Sequence, residues 1–297
     1  MKVGKTTLCS QFPGALLLAT EKGYNAIPGI YAQDITTWGE LKQVVRELKK
    51  PEVHEKFQTV IIDTVDIAGS LCDKYICNQL GVENLGDGGW TNNGWAKYKK
   101  EFEEVMRNIV QLNYALVLIS HDADKTFKRK DGSEYNQIVP TAQKSINDIV
   151  KGMADIYAYA TLLPTGQRKL ILRSEDGSVD VGCRFKYITP MIDLSYEALR
   201  EALNNAIDKE AEETDNQYVT DESIKTPIAQ EYDYDALMDE FKTLAGQLME
   251  KGSATNGPKI TQIIDKYLGK GKKINETTRD QAEFVYLIVD EIKNTLM

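Results

Sequence analysis

The chain has 297 residues, 42% of them hydrophobic, and its 45 acidic and 36 basic side chains give a formal net charge of −9. No apolar run approaches the ~20 residues that a membrane-spanning helix needs, and the N-terminus lacks the apolar region of a signal peptide. Four cysteines and two histidines fit neither a disulfide scaffold nor a zinc site. We therefore expect a reduced, cytoplasmic protein with no membrane partner.

The first 200 residues alternate short apolar runs with helical patterns. Near-continuous apolar strands are typical of a parallel sheet that is covered on both faces, and such an alternation predicts right-handed crossovers. We therefore predict an α/β fold with a mostly parallel sheet. The strands are predicted at Ala15–Thr20, Thr59–Asp63, Tyr114–Ser120, Asp155–Thr161 and Leu170–Arg173, and the helices at Lys5–Gln11, Thr37–Lys50, Ile67–Leu80, Trp95–Leu112 and 196–207.

An acidic segment separates this core from the end of the chain. Residues 201–240 hold 13 acidic and 2 basic side chains, and a segment of such charge repels itself and stays solvated. The predicted domains are a core at 1–207, an acidic linker at 208–233 and a small helical module at 234–297. Amphipathic patterns predict the helices of that module at Tyr234–Glu250, Pro258–Leu268 and Thr277–Leu296.

The first residues carry a phosphate-binding pattern. The run KVGKTT, from Lys2 to Thr7, matches the second half of the P-loop G-x-x-x-x-G-K-[ST], and a helical pattern follows it. In such a loop the backbone N–H groups around a glycine cradle phosphate, the lysine adds a positive charge and the hydroxyl ligates Mg²⁺. The alternative is a chance match, since the first glycine of the motif would precede Met1. The predicted nucleotide-binding residues are Val3, Gly4, Lys5, Thr6 and Thr7.

Three strand ends carry polar side chains that suit the same chemistry. Asp63 closes the apolar run TVIID, as in a Walker B strand, and with Thr6 forms the predicted Mg²⁺ site. Glu21 follows the run LLLAT and is a candidate general base. His121 follows the strand predicted at Tyr114–Ser120 and is a candidate sensor of the γ-phosphate. Each residue also has a plainer interpretation: a strand-terminal Asp, a capping or exposed Glu, and a surface histidine.

The segments KVGKTT, LLLATEKGY, TVIIDTVD and LVLISHDADK together resemble the RecA-core P-loop ATPases. They are more closely similar to the phage-encoded AAA-type nucleotide-binding proteins that include the Sak-type single-strand annealing recombinases. The resemblance covers residues 1–200. It implies a RecA-like P-loop NTPase core, located in the host cytoplasm if the chain is phage-encoded.

The resemblance also implies roles for single residues. Lys5 and Thr6 bind ATP and Mg²⁺, Asp63 is the Walker B acid, Glu21 is the catalytic base, and His121 stands where the family often has Gln. We accordingly name Glu21, Lys5 and His121 as catalytic. In RecA-like sheets the strand before the P-loop is central, between the Walker B strand and its neighbour. Because that strand and the first glycine are missing, we expect a shortened chain rather than a natural remnant.

A basic segment follows the predicted sensor strand. Residues 122–142 contain a compact cluster with one aromatic inside it, and cations with aromatics suit a single-stranded backbone and its unstacked bases. In RecA-like proteins the loop at this place binds DNA. The alternative is a solvated β-hairpin around Asp131 and Gly132. The predicted DNA-binding residues are Lys125, Phe127, Lys128, Arg129 and Lys130.

Two weaker features belong with this site. The glycine-rich segment Gly81–Tyr98 carries Trp90 and Trp95, which either stack on bases or anchor the loop to the body of the protein. Arg184 is a candidate for stabilising charge on the γ-phosphate of a neighbouring protomer, and Arg173 is a weaker one. Surface ion pairs are the alternative for both arginines.

Functions of different classes fit this sequence. The first is an ATP-binding and ATP-hydrolysing recombination protein that anneals or pairs single-stranded DNA as a homo-oligomer, with single-strand-binding protein as a further partner. The second is a P-loop ATPase of other DNA metabolism, such as a helicase-loader-like protein or a motor part. The third is a nucleotide-dependent binding module without hydrolysis. The fold alone does not separate them.

Overall fold

The computed structural model describes residues 3–214 and 232–296, and the chain divides into two compact units, 1–218 and 219–297. The helices of the first unit are α1 (Lys5–Cys9), α2 (Trp38–Glu47), α3 (Pro51–Lys56), α4 (Val65–Leu80), α5 (Gly89–Asn92), α6 (Gly94–Gln111), α7 (Lys144–Met153) and α8 (Tyr196–Glu213). Its strands are β1 (Ala15–Ala19), β2 (Tyr31–Asp34), β3 (Thr59–Asp63), β4 (Ala115–Ile119), β5 (Asp122–Lys128), β6 (Glu134–Pro140), β7 (Ile156–Tyr157), β8 (Tyr159–Leu162), β9 (Arg168–Ile171), β10 (Gly182–Cys183) and β11 (Met191–Asp193).

The strands β1 to β4 form the main sheet, which is parallel throughout and has the order β2-β1-β3-β4. The register pairs Ala19 with Asp63, and Asp63 with Ile119, so β1, β3 and β4 end level with one another. Because the carboxyl ends of parallel strands share one edge of a sheet, the residues that follow these strands meet there. The predicted α/β fold with a mostly parallel sheet is confirmed.

Both faces of the main sheet are covered at its two inner strands, which explains the unbroken apolar runs of β1 and β3. Leu18 and Ile62 pack in one cluster with side chains of α2, α4 and α6. Leu17 and Ile61 lie in a cluster on the opposite face, together with Cys9 of α1. Successive side chains of a strand point to opposite faces, so these runs need apolar residues at every position.

A smaller sheet supports α1 from another side. The strands β8, β9 and β11 are antiparallel and have the order β11-β9-β8. Leu8 of α1 is buried in one cluster with Leu170 of β9 and Leu199 of α8. The helix α1 therefore packs through Cys9 on the main sheet and through Leu8 on this second layer, which fixes the turn that precedes it.

The strand β3 is paired on both sides, with β1 and with β4. In this sheet, therefore, no further strand lies beside the Walker B strand, which is where RecA-like sheets carry the strand before the P-loop. Among residues 3–214 and 232–296, no strand pairs with the outer edge of β4. Leu116 and Val117 of β4 are accordingly only half-buried, whereas Ile61 and Ile62 of β3 are completely buried.

Other elements differ from the sequence predictions. The segment Asp155–Thr161 forms β7 and β8, which belong to different sheets. The edge strand β2 is exposed along its whole length, and it was not predicted because it lacks an apolar run. The helix α8 continues to Glu213, beyond the predicted start of the linker at 208, since its alanines favour helix despite the acidic charge. Residues 215–231 of the predicted linker lie outside the described residues.

The second unit contains α9 (Tyr234–Leu268) and α10 (Ala282–Leu296), with short 3-10 helices at Ile274–Glu276 and Arg279–Gln281 between them. The backbone of α9 is not helical at Gly252, which lies in the gap between the first two helices predicted for this module. The core of this second unit is apolar and includes Val285, Ile288 and Ile292, none of which has exposed surface. No helix of the described residues combines the length and the apolar composition that crossing a bilayer requires.

Candidate active site

Gly4 forms the turn that leads into α1. Its φ of 105° and ψ of 26° lie in the left-handed region, which favours glycine, and Lys5 begins the helix. The predicted nucleotide-binding residues Val3 to Thr7 therefore form one continuous turn at the carboxyl edge of the main sheet. Thr7 is the exposed member of this turn, whereas Thr6 is half-buried.

Thr6 and Asp63 are in direct contact. The Thr6 hydroxyl donates a hydrogen bond of 2.6 Å to Oδ2 of Asp63. Burial raises the pKa of Asp63; the Thr6 hydrogen bond lowers it, the charge of Glu21 raises it, and Lys5 and His121 lower it. A hydroxyl beside a carboxylate gives the oxygen ligands that Mg²⁺ takes from a protein when phosphates and water complete its shell, so these two residues fit the predicted metal site.

The ammonium group of Lys5 lies at the end of β4. Its Nζ donates a hydrogen bond of 2.7 Å to the carbonyl of Ser120 and is 3.8 Å from Oδ1 of Asp122. The Lys5 side chain is about one quarter exposed, at 26%, so it remains accessible to a ligand. A phosphate oxygen would compete with these two acceptors for the same ammonium group.

Glu21 and His121 meet at the same edge. Nε2 of His121 lies 3.0 Å from Oε1 of Glu21, and the Thr64 hydroxyl donates to the same oxygen at 3.1 Å. The Thr20 hydroxyl in turn accepts the Thr64 amide hydrogen at 2.7 Å, which ties the residues after β1 to those after β3. The three predicted catalytic residues are thus brought to one place, with Glu21 held by two hydrogen-bond partners.

Sequence reasoning missed Arg168. Arg168 and Leu170 share one face of β9 because they are two residues apart, and Leu170 is buried in the cluster that contains Leu8 of α1. Nη1 of Arg168 accordingly lies 3.5 Å from the position that a Cβ would take at Gly4. Within the described parts of the chain this guanidinium makes no ion pair or side-chain hydrogen bond, so it presents an uncompensated positive charge beside the turn.

The two arginines that the sequence suggested make contacts within the first unit. Arg184 pairs with Asp155 at 3.2 Å and donates to the Gly152 carbonyl. Arg173 donates to the carbonyls of Phe185 and Lys186 at 2.7 and 3.1 Å. No sequence pattern distinguished Arg168 from these two, because its position depends on the pairing of β9 in the small sheet.

The basic segment forms a β-hairpin of β5 and β6, which is the shape that the alternative interpretation predicted. Lys125 and Phe127 share one face of it, and the Phe127 ring stacks on Tyr135 with centroids 5.6 Å apart. The Arg129 guanidinium lies over the same Tyr135 ring, 4.6 Å from its centroid. One face therefore combines cations with stacked aromatic rings.

The other predicted cations of the hairpin are placed differently. Lys128 points to the opposite side of β5, where it pairs with Glu134 at 3.3 Å, and Lys130 is exposed in the turn. The two-residue period of a strand thus divides a cluster that is compact in sequence.

The glycine-rich segment is held by residues other than its first tryptophan. Leu85 and Tyr98 are buried, and a Cβ at Gly94 would lie only 2.4 Å from the Leu85 carbonyl oxygen, so the backbones approach closely there. Trp95 is half exposed and packs edge-on against Tyr98. Trp90 is fully exposed, and anchoring of the loop falls to Leu85 and Tyr98.

Comparison with known proteins adds two findings. A family model described as AAA domain (AAA_24) matches residues 1–180. The SPbeta prophage-derived uncharacterized protein YorG of Bacillus subtilis (strain 168) is 28% identical over 303 residues, which cover 99% of this chain and 90% of that protein. The family match covers Gly4, Lys5, Asp63 and the hairpin, and the similarity to the prophage protein extends through both units.

Proposed function

The chain belongs to the AAA domain family, and from this premise we propose that it binds ATP with Mg²⁺ at the Gly4 turn and hydrolyses it. The observation that carries the proposal is the meeting of Thr6 with Asp63 at 2.6 Å, beside the pair formed by Glu21 and His121. An AAA-type P-loop domain generally binds ATP with Mg²⁺, and these side chains supply the corresponding chemistry.

Four groups recognise the phosphates in this proposal. The backbone N–H groups around Gly4 donate hydrogen bonds to phosphate oxygens, and Lys5 provides a positive charge from the β4 side of the turn. Arg168 provides a second charge from the β9 side, 3.5 Å from the Cβ position of Gly4. Thr6 and Asp63 hold Mg²⁺, which when bound neutralises charge on the phosphates.

Hydrolysis then depends on placement of a water molecule. Glu21 accepts a proton from the attacking water, whose oxygen forms the new bond to the γ-phosphorus while the bond to the ADP oxygen breaks. His121 and Thr64 hold Oε1 of Glu21 at 3.0 and 3.1 Å and so orient the carboxylate. Lys5 stabilises the charge that develops on the transferred group.

We assign single-stranded DNA to the aromatic and basic face of the β5–β6 hairpin. Lys125 and Arg129 neutralise backbone phosphates, and the Phe127 and Tyr135 rings offer surfaces on which unstacked bases lie. The hairpin begins at Asp122, directly after His121, so the proposed DNA and ATP sites are adjacent in the chain. We propose that the two sites act together in ATP-dependent annealing or pairing of single strands by a homo-oligomer.

The test of the ATPase proposal is ATP binding and phosphate release by the full chain. Lys5→Ala should weaken ATP binding about 10- to 100-fold, the range for a hydrogen bond to a charged group, whereas the exposed Lys22→Ala is the matched control. Glu21→Gln should bind ATP like the parent chain but lose turnover. Equal phosphate release by Glu21→Gln and the parent chain would remove Glu21 as the base.

The test of the DNA proposal is the salt dependence of single-strand binding. Lys125→Ala combined with Arg129→Ala should lower affinity and reduce the slope of log K against log salt by about 1.4. The pair Lys270→Ala with Lys272→Ala, in the second unit, is the control of equal charge. An unchanged slope in the hairpin variant would place the DNA contact elsewhere in the protein. ATP hydrolysis that single-stranded DNA does not stimulate would favour an ATPase of other DNA metabolism.

A further inference from the structure

The carboxylate of Asp66 contacts three residues that are distant from it in sequence. Asp66 lies in the first turn of α4, just after the Walker B strand β3. Oδ1 accepts hydrogen bonds from the Ser120 hydroxyl at 3.1 Å and from the Thr141 hydroxyl. Oδ2 accepts the backbone N–H of His121 at 3.3 Å.

These contacts join both ends of the β5–β6 hairpin. His121 immediately precedes the first residue of β5, and Thr141 immediately follows the last residue of β6. The Thr141 amide also donates to the His121 carbonyl at 3.0 Å. The base of the hairpin is therefore closed on itself and fixed to α4 through one carboxylate.

The same contacts determine where the imidazole of His121 lies. The backbone N–H of His121 is held by Asp66 and its carbonyl by Thr141, so its ring is directed at Glu21, 3.0 Å away. The neighbouring Ser120 carbonyl accepts the hydrogen bond from Lys5. Two side chains of the proposed ATP site, Lys5 and Glu21, therefore contact the segment 120–122 directly.

A simpler role for Asp66 would be to stabilise the N-terminus of α4, as first-turn carboxylates commonly do. Such a role requires no partners beyond the helix itself. Here the described partners of both carboxylate oxygens are Ser120, His121 and Thr141, at the end of β4 and the base of the hairpin. No cation of the described residues lies within ion-pair distance of Asp66, so hydrogen bonds rather than an ion pair account for its contacts.

We infer that Asp66 is a positioning residue that holds His121 against Glu21 and couples ATP turnover to the hairpin. This inference rests on the proposed function, because it needs both a reaction at Glu21 and DNA at the hairpin. Asp66 touches neither ligand. It fixes the one segment that lies between the two sites.

The experiment compares Asp66→Asn with Asp73→Asn, the same substitution two turns along α4. Steady-state ATP hydrolysis is measured with and without single-stranded DNA, alongside the melting temperature. An amide at position 66 cannot accept three hydrogen bonds in the same arrangement, so we expect kcat to fall about tenfold while KM stays within about twofold. The ratio of the rates with and without DNA should approach one. Asp73→Asn should retain the parent values of kcat, KM and this ratio.

Thr141→Val provides a second variant if Asp66→Asn has a lowered melting temperature, because it removes one hydroxyl from an exposed residue and keeps the side-chain shape. We expect it to lower the DNA-dependent ratio in the same direction as Asp66→Asn, and Asp66→Glu to recover part of kcat. Parent values of kcat and of the DNA-dependent ratio in both Asp66→Asn and Thr141→Val would overturn the inference alone. A parent chain that hydrolyses no ATP would overturn the proposed function and this inference together.

Discussion

The Thr6 hydroxyl donates to the Asp63 carboxylate at 2.6 Å, which joins the first turn of the chain to the end of the central strand β3. This contact brings the predicted phosphate turn to the edge where Glu21 and His121 also lie. The pKa of Asp63 is nevertheless raised, because burial outweighs the lowering effect of the Thr6 hydrogen bond. The ionised form of Asp63 is thus destabilised unless a cation compensates it.

Mg²⁺-dependent ATP binding should therefore weaken on acidification, and the transition should lie at a pH above the ordinary pKa of an aspartate. The metal needs the ionised carboxylate, and because the pKa of Asp63 is raised, protonation competes with the metal at higher pH than for a free Asp. The measurement is ATP affinity against pH with and without Mg²⁺. Asp63→Asn should lose the Mg²⁺-dependent part of binding, and with it that acid transition. A transition that persists in Asp63→Asn would assign it to another group.

Asp63→Asn should also raise the melting temperature at neutral pH in the absence of nucleotide. The folded-state pKa of Asp63 is raised, so this residue destabilises the fold above its unfolded pKa, and the cost disappears as pH falls through the folded pKa. An amide removes the buried charge and can still accept the Thr6 hydrogen bond. The difference in melting temperature should shrink when both proteins are measured in acid, and a difference that is independent of pH would contradict this explanation.

Arg168→Ala should weaken ATP binding about tenfold, as expected for loss of one charge-assisted contact with phosphate. Lys169→Ala is the matched control, because Lys169 is the next residue of β9 and pairs with Asp193 at 2.7 Å on the other face. Since Arg168 is exposed and without a described ion-pair partner, its removal should leave the melting temperature unchanged. Equal ATP affinities of Arg168→Ala and Lys169→Ala would show that Arg168 does not contact the phosphates.

One of the four cysteines should react quickly in the folded chain. Burial raises the pKa of Cys9 to about 12 and that of Cys77 to about 11, and it also raises the pKa of Cys72, so these groups stay as unreactive thiols. Cys183 is partly exposed. Reaction with a disulfide reagent should show one fast thiol before denaturation and four afterwards, and Cys183→Ser should abolish the fast phase. Two or more fast thiols would show that a buried site opens readily.

Ile288→Ala should destabilise the second unit by about 2–5 kcal/mol, as for other fully buried Ile-to-Ala changes. Ile288 has no exposed surface and packs in the cluster of α9 and α10. Chemical denaturation followed by circular dichroism measures the effect. Phe284→Ala, at a position of the same helix that is 42% exposed, is the control and should cost less.

The sequence predicted what depends on local pattern. The strands β1 and β3 were recognisable because each is an unbroken apolar run, and Asp63 and Glu21 were recognisable because each follows such a run. The exposed strand β2 has no such run. Arg168 and Asp66 were missed for a different reason: the roles proposed for them depend on proximity to Gly4 and on contacts with Ser120, His121 and Thr141, which only the paired strands and packed helices create.

The division of the hairpin into two unlike faces was also beyond the sequence prediction. Five of the six residues from Lys125 to Lys130 were predicted as one DNA-binding cluster, but the pairing of β5 with β6 sends Lys128 toward Glu134 and leaves Phe127 with Tyr135. The register of two strands therefore decides which cations accompany the aromatic rings.

Full exposure of Trp90 gives the protein an intrinsic optical reporter. An indole surrounded by water emits at long wavelength and is quenched readily by acrylamide, whereas Trp38 is buried and is shielded from such quenchers. Titration of a nucleotide, a DNA strand or a second copy of the chain can thus be followed by the emission of the glycine-rich loop, without attaching a dye.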